Sequence, residues 1–339
     1  MNPFERMKQR LRGAPVDRPP NFNIFMTFAA HYIGQPLHKY YLDYRVLVEA
    51  NAAMVEHFHV DLLQAISDPY REAHDFGAII DFPEDGLPIS RQPLLDDPQK
   101  LSRLGRPNPS TGRRMSDRLE AIRLMHEQAA GEVPVLGWVE GALAEAGDLR
   151  GASNVLMDLF ERPDWLKELL ELIVEVEINF AKAQIVAGAH IIGLGDAIAS
   201  QLSPDMYAQY ALPYEQRIFQ AVHDLGGLAR LHICGDTSAL VPLMVDSGAD
   251  IIDLDWMVDM ASAAEQFGDR VAFCGNFDPV RVMLQGQPQD VYRATRHCLK
   301  DGGKNSFSAA GCEIPDGTPH ENLQAQHKAL VEFQAERDS

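Results

Sequence analysis

Residues 190–236 read HIIGLGDAIASQLSPDMYAQYALPYEQRIFQAVHDLGGLARLHICGD, and this stretch decides the fold. It opens on one short apolar run, His190–Leu194, and closes on another, Ala229–Ile233. Both are short and mostly free of charge, as strands covered on both faces should be. Between them, Ser203-Pro204 is a helix start. The serine can accept from a first-turn amide, and the proline ring is already set for the first helical position. The segment then carries Met206, Tyr210 and Ile218 on to the next run. Strand, helix and strand in that order predict two parallel strands joined by a crossover helix.

Working outward, the same alternation continues on both sides. Further apolar runs at Phe22–Met26, Val60–Ile66, Val133–Val139, Ile251–Leu254, Val271–Cys274 and Ser306–Ala310 bring the number to eight. Asp68-Pro69 before Tyr70–Phe76, Pro163 before Trp165–Val186, and Ser247-Gly248 at the end of Asp236–Ser247 mark helix starts and a stop. Eight such repeats predict an α/β fold, a single (β/α)8 TIM barrel over residues 1–339. An open doubly wound sheet is the rival, but no GxGxxG follows an early strand. Residues 77–113, with FPEDGLPISRQPLLDD at 82–97, break the pattern. They predict a hairpin-like excursion after the second strand that forms part of a lid over the mouth.

Composition narrows the functions. Against 30 Lys+Arg stand 49 Asp+Glu, a formal charge of −19, which argues against nucleic acid and anionic lipid as partners. No stretch approaches the ~18 apolar residues of a membrane span. The most apolar neighbourhood, Leu169–Gly195, is interrupted by Glu171, Glu175, Glu177 and Lys182. MNPFERMKQRLRG at the start has no apolar core, so no secretory signal is read there. Four cysteines in 339 residues make no disulfide framework and fit a reducing cytoplasm. In that setting they are buried fillers, metal ligands or catalytic thiols.

In a barrel, the C-terminal ends of the strands converge on one mouth. There the sequence places His232-Ile233-Cys234-Gly235, Asp253-Leu254-Asp255, Gly275-Asn276 and Gly311-Cys312-Glu313. His232 and Cys234 are two apart on one strand and therefore face the same side. One imidazole and two thiolates, His232, Cys234 and Cys312, suit Zn²⁺, with a fourth place for a carboxylate or water. The same residues can instead be core fillers, since cysteine is often buried. Cys274, inside a strand, and Cys298, near a helix end, are read as structural, as are His57 and His59 ahead of the second strand. Asp196 either faces the pocket or caps a turn, and Glu313 either supports a ligand or faces solvent. Trp138 and Glu140 end the third strand, as pocket lining or core. Of Tyr207, Tyr210 and Tyr214, which share a helix, one is read as lining the mouth and the rest as core.

Taken in order, Asn2, Arg6, Leu11-Arg12-Gly13, Val16-Asp17-Arg18-Pro19-Pro20, Ser67-Asp68, Leu202-Ser203-Pro204, Leu212-Pro213-Tyr214, His232-Ile233-Cys234-Gly235 and Gly275-Asn276 with Asp278-Pro279 resemble the uroporphyrinogen decarboxylase superfamily over nearly the whole chain. That superfamily has a decarboxylase and a methyltransferase branch. The decarboxylases carry Arg-Gln-Ala-Gly-Arg after the first strand, where arginines hold the substrate's carboxylates. Here the place reads Met26-Thr27-Phe28-Ala29-Ala30-His31, without an arginine. The resemblance is instead to the zinc-dependent corrinoid methyltransferases, whose His-x-Cys…Cys ligands His232, Cys234 and Cys312 match. It implies Asp255, where relatives often have Glu, as the fourth ligand.

Asp68 matches an aspartate that is catalytic in the decarboxylase branch and so is a catalytic candidate, while an aspartate before Pro-x-x-Glu is also an ordinary N-cap, the reading preferred here. Asp196 and Glu313 join it as catalytic candidates, and Asn276 and Tyr207 are candidates for contacting the corrinoid. The function expected is zinc-dependent methyl transfer between a cobalamin and a small thiol acceptor or methylated donor. No Asp-x-His-x-x-Gly motif occurs, so the corrinoid is expected on a partner protein or free. The alternatives are a metal-free porphyrinogen decarboxylase, a folate-to-homocysteine methyltransferase and a non-catalytic ligand-binding barrel.

Overall fold

Seven parallel strands curl into one sheet in the computed structural model, which describes residues 1–337. In chain order the strands are β1 (Leu63–Gln64), β2 (Ile80–Asp81), β3 (Ile89–Ser90), β4 (Val135–Glu140), β5 (Ile191–Gly195), β6 (Leu228–His232), β7 (Ile251–Leu254), β8 (Ala272–Phe277) and β9 (Phe307–Ala310). The sheet runs β1-β4-β5-β6-β7-β8-β9, so each neighbour is reached through a helical crossover, as in a TIM-like barrel. β4, β5, β7, β8 and β9 are buried throughout, which explains their near-continuous apolar sequences.

Seven of the eight predicted strands form. The first, Phe22–Met26, makes no regular ladder. Asn21 forms one isolated parallel bridge to Ser308, whose N–H donates to the Pro20 carbonyl at 2.9 Å. On the other edge, the Asp61 N–H donates to the Asn21 carbonyl at 2.9 Å. Side chains continue where the ladder stops. Ala310 N–H donates to Asn23 Oδ1 at 2.9 Å, Gln64 Nε2 to the Asn23 carbonyl at 2.8 Å, and the Tyr40 hydroxyl to the Phe25 and Ile66 carbonyls. Pro19 and Pro20, which lack N–H donors, precede this segment, so amide side chains stand in for part of the backbone pairing.

Ser203 does cap Pro204–Tyr210, with its Oγ accepting from Met206 N–H at 3.3 Å. The single helix expected there is two: it stops at Ala211, and Leu212–His223 starts afresh with Pro213 in its first turn. The longest crossover, Pro163–Ala187, buries Leu166, Leu169, Leu170, Ile173, Val174 and Phe180 completely. Each such side chain contributes about 1.5–3 kcal/mol. The helix ends at Gly188, whose φ of +117° suits glycine alone.

The excursion at 77–113 is a β2–β3 antiparallel hairpin followed by a 3₁₀ turn at Pro98–Arg103. His31 of the helix Thr27–Tyr32 links the tip of this hairpin to the loop after β9, meeting Asp85 Oδ1 through Nε2 at 3.2 Å and Asp316 Oδ2 through Nδ1 at 3.0 Å. Among the described residues, no helix is long and apolar enough to cross a membrane.

Candidate metal centre

On β6 the alternate residues Arg230 and His232 form a column that Cys234 continues just past the strand end. Around His232 three ligand atoms meet. His232 Nε2 lies 3.0 Å from Cys234 Sγ and 3.8 Å from Cys312 Sγ, and the two sulfurs are 3.6 Å apart. No disulfide joins them. Cys312 arrives from β9 through Gly311, which passes directly against Asp255. A Cβ on Gly311 would stand 2.5 Å from Asp255 Oδ1 and 2.7 Å from the Trp256 nitrogen, so any side chain there would push Cys312 away.

The electrostatics of the three groups are linked. Cys312 is pulled down to about 4 by the hydrogen bond from Cys234, against burial and with help from His232. The hydrogen bond to Cys312, together with burial, pushes Cys234 up, because Cys234 keeps the shared proton. Burial disfavours a charged His232, yet the neighbouring sulfurs and the bond to Asp253 raise it well above an ordinary histidine. One buried imidazole and two half-buried thiols, holding protons between them, are a donor set that a soft, tetrahedral cation such as Zn²⁺ fits by displacing those protons.

Behind this group, His232 Nδ1 meets Asp253 Oδ2 at 2.9 Å, and Arg230 Nε donates to Asp253 Oδ1 and Oδ2 at 2.9 and 3.0 Å. Sequence reasoning placed Asp253 at the mouth without a role and passed over Arg230. The signal was present in β6, where Arg230 sits two before His232 and Asp253 is the direct register partner of His232 on β7.

Several expected site residues take other places. Asp255 is outside the three-ligand group. Its Oδ2 accepts from Gly235 N–H and its Oδ1 from Trp256 N–H, both at 2.7 Å, so it ties down the turn that carries Cys234. Asn276 donates to the Asp255 and Val258 carbonyls at 3.2 and 2.7 Å, which commits both amide hydrogens to the loop after β7. Glu313 is only partly exposed and stands outside the His/Cys/Cys group. Its Oε1 accepts from Met26 and Thr27 N–H at 3.1 and 2.9 Å, capping the helix Thr27–Tyr32 that lacks a cap of its own. Burial pushes Glu313 up to about 7.

Asp68 is fully buried and paired with Arg114 Nη2 at 2.5 Å. Burial opposes its charge, but Arg114 holds it below the usual carboxylate range. It also accepts from Tyr70 N–H at 3.1 Å, while the helix that follows begins at Arg71 without a side-chain cap. Asp196 is fully buried against Gly141, where any Cβ would collide with its carboxylate, at the start of the helix Ala142–Arg150. Tyr207 is fully buried, and its hydroxyl donates to Glu215 Oε2 at 2.5 Å, so it does not line the mouth.

Glu140 and Trp138 stand on the β4–β5 side. Glu140 shares its sheet level with Gly195 and His232, and the Trp138 ring lies over Gly193 and Gly195, with its centroid 6.1 Å from that of His232. Arg71 Nη2 donates to Glu140 Oε1 at 2.8 Å. Around this pair lie Glu72, Glu145, Asp148 and Glu177, a buried acidic nest that the sequence reading missed because its members are scattered over three helices. Burial pushes Glu140 up to about 7, against Arg71 and with Glu72, and holds Glu145, Asp148, Glu177 and Asp196 well above the carboxylate range. His59 stacks on His327 at 3.9 Å, and Cys274 and Cys298 are buried.

Known proteins supply the context for this arrangement. The pattern of the uroporphyrinogen decarboxylase (URO-D) family matches residues 2–333. The methylcobamide:CoM methyltransferase MtbA of Methanosarcina mazei is 29% identical over 333 residues, covering 95% of each chain. A uroporphyrinogen decarboxylase of Xanthomonas campestris is 29% identical over 308 residues, 85% of this chain and 84% of its own. A solved methyltransferase from Methanosarcina mazei superposes with a TM-score of 0.88 over 100% of both chains at 23% identity, which establishes a shared fold. With its barrel, its N-terminal and strand-end motifs and this match over almost its full length, the chain belongs to the uroporphyrinogen decarboxylase family.

Proposed function

We propose that this protein is a zinc-dependent methyltransferase that moves a methyl group between a corrinoid and a small thiol acceptor or methylated donor. The observation that carries the reading is the meeting of His232 Nε2, Cys234 Sγ and Cys312 Sγ within 4.8 Å of one another at the barrel mouth. A decarboxylase working on a polycarboxylate needs free cations there, whereas Arg71, Arg114 and Arg230 are each engaged by a carboxylate. The names of relatives such as MtbA agree with methyl transfer.

His232, Cys234 and Cys312 would hold the zinc, leaving a fourth position for substrate or water. Bound there, zinc would supply the positive charge that lets a thiol ionise near neutral pH or that polarises a methylated donor. The chain's own residues do the rest. Cys234 and Cys312 give up their shared proton when they become ligands. Asp255 fixes the turn after Cys234, and the indole of Trp138 covers Gly193 and Gly195 and fills the space beside His232. The corrinoid is brought by a partner protein. Free thiols on all four cysteines suit a reducing cytoplasm.

Metal analysis of the purified protein is the first test, with near-stoichiometric zinc expected and its absence fatal to the reading. Methylcobalamin demethylation, followed by absorbance across a panel of thiols, then tests the chemistry, and Co(I) corrinoid with methylated donors tests the opposite direction. A flat spectrum with every thiol and every donor would defeat the methyltransferase assignment.

A further inference from the structure

Histidine offers a metal two different nitrogens, and only one of them faces the thiols here. On the opposite side of the ring, Nδ1 lies 2.9 Å from Asp253 Oδ2. An ionised carboxylate only accepts, so Nδ1 must carry its hydrogen and Nε2 is the atom left for a cation. Asp253 is itself held. It is buried, and Arg230 Nε reaches both its oxygens at 2.9 and 3.0 Å. Arg230 is fully buried in the barrel interior, where its Nη2 also donates to the Phe22 carbonyl at 3.2 Å and approaches Cys274 Sγ at 3.9 Å.

A buried ion pair of this kind is a poor device for stability, because apolar residues of similar volume would serve as well or better. What it does supply is direction. β6 and β7 are parallel with His232 opposite Asp253, so the sheet register itself places the carboxylate beside the ring. Arg230, two residues earlier on β6, rises under both.

We propose that Arg230 and Asp253 are a positioning pair for His232: they fix the ring with Nδ1–H on the carboxylate and Nε2 aimed between Cys234 and Cys312, so that the ligand set is arranged before a metal arrives. The inference rests on the zinc reading above and adds two residues to it. Asp253 touches no metal position. It acts through His232, and Arg230 acts through Asp253.

The variant that tests this is Asp253→Asn, which keeps the shape and one acceptor but cannot serve imidazole and guanidinium together. Zinc affinity, measured by competition with a chromophoric chelator, should fall about 10- to 100-fold. Arg230→Met should lower it several-fold, about threefold to tenfold, by releasing Asp253. Cobalt(II) in place of zinc should show a shifted visible spectrum in Asp253→Asn. A purely structural aspartate would leave that spectrum unmoved in the folded variant. Histidine ¹⁵N resonances of the metal-free wild-type protein give an answer even if both variants fail to fold. They should show a proton on Nδ1 of His232 hydrogen-bonded to the carboxylate, with Nε2 protonated or not. A proton resident on Nε2 alone, or a folded Asp253→Asn protein that binds zinc within twofold of wild type, would overturn the proposal. If the wild-type protein binds no zinc, the preceding functional reading fails, while the ¹⁵N result on the metal-free protein still decides this one.

Discussion

On the β6–β9 side of the mouth, His232, Asp253 and Asp255 give their polar atoms named partners, whereas on the β4–β5 side Glu145 presents both carboxylate oxygens to no donor. Both regions bury ionisable groups next to the barrel interior. The first does so with short bonds that fix where each lone pair points. The second pairs Glu72 and Glu140 with one guanidinium and sets Glu145 and Glu177 near them, and it can be tolerated only if several of them keep their protons. Partnered groups are ready for a cation. Crowded, undersupplied carboxyls are ready for hydrogen.

The largest effect should come from breaking the partnered side. Cys234→Ser and Cys312→Ser are each expected to weaken zinc binding by roughly a hundredfold or more while leaving the fold intact, since both side chains are only half-buried. Chelator competition and circular dichroism together check this. Zinc retained at full stoichiometry in both variants would mean that the β6–β9 side is not a metal centre.

The acidic side predicts a pH dependence of stability. Glu140 and Glu215, both buried, are raised from an ordinary 4.5 to about 7 by burial. Between those values the folded chain holds protons that the unfolded chain has released. Their contribution is therefore fully present below pH 4.5 and lost as pH climbs through 7, on the order of 2–3 kcal/mol for each group. Thermal unfolding at pH 5, 6, 7 and 8 should show a falling Tm. Glu215→Gln, which preserves an acceptor for the Tyr207 hydroxyl, should flatten the curve. A Tm that rises from pH 5 to 7 would mean that these carboxyls are ionised and the contrast between the two sides is lost.

The smallest effect sharpens the boundary of the metal centre. Asp255→Asn should lower zinc affinity by less than about tenfold, because the amide oxygen can still accept from Gly235 or Trp256 and the three ligands stay in place. A loss as large as that of the cysteine variants would restore Asp255 as the fourth ligand.

Much of this was legible in one dimension, and the division has a physical basis. Strand–helix alternation and the i, i+2 spacing of His232 and Cys234 depend on local geometry, so the sheet order and the column on β6 could be read directly. Cys312, 78 residues from Cys234, came only through the resemblance and the expectation that strand ends converge. What escaped was competition for acceptors. Nothing local reveals that Glu313 caps a helix 287 residues earlier in the chain, or that Asp68 answers to Arg114 instead of to its own helix. Carboxylates beside a predicted mouth look alike in sequence. In space, each goes to the nearest donors that would otherwise be buried without an acceptor. The first strand failed for a related reason: Phe22–Met26 is apolar enough for a strand, but Pro19, Pro20 and the asparagines at 21 and 23 favour single bonds over a ladder.

That seam has a consequence for how the protein holds its shape. Elsewhere the cylinder is closed by repeating backbone ladders, but between β9 and β1 a few isolated backbone bonds are supplemented by side chains: Asn23, Gln64, Tyr40, and Arg230 from below. Cys312 lies two residues beyond the end of β9, one of the two edges that the seam joins. A substitution at Asn23 would therefore be felt as a loosened hoop at the staves that carry the proposed metal ligands, far from its own position in the chain and without touching any of them.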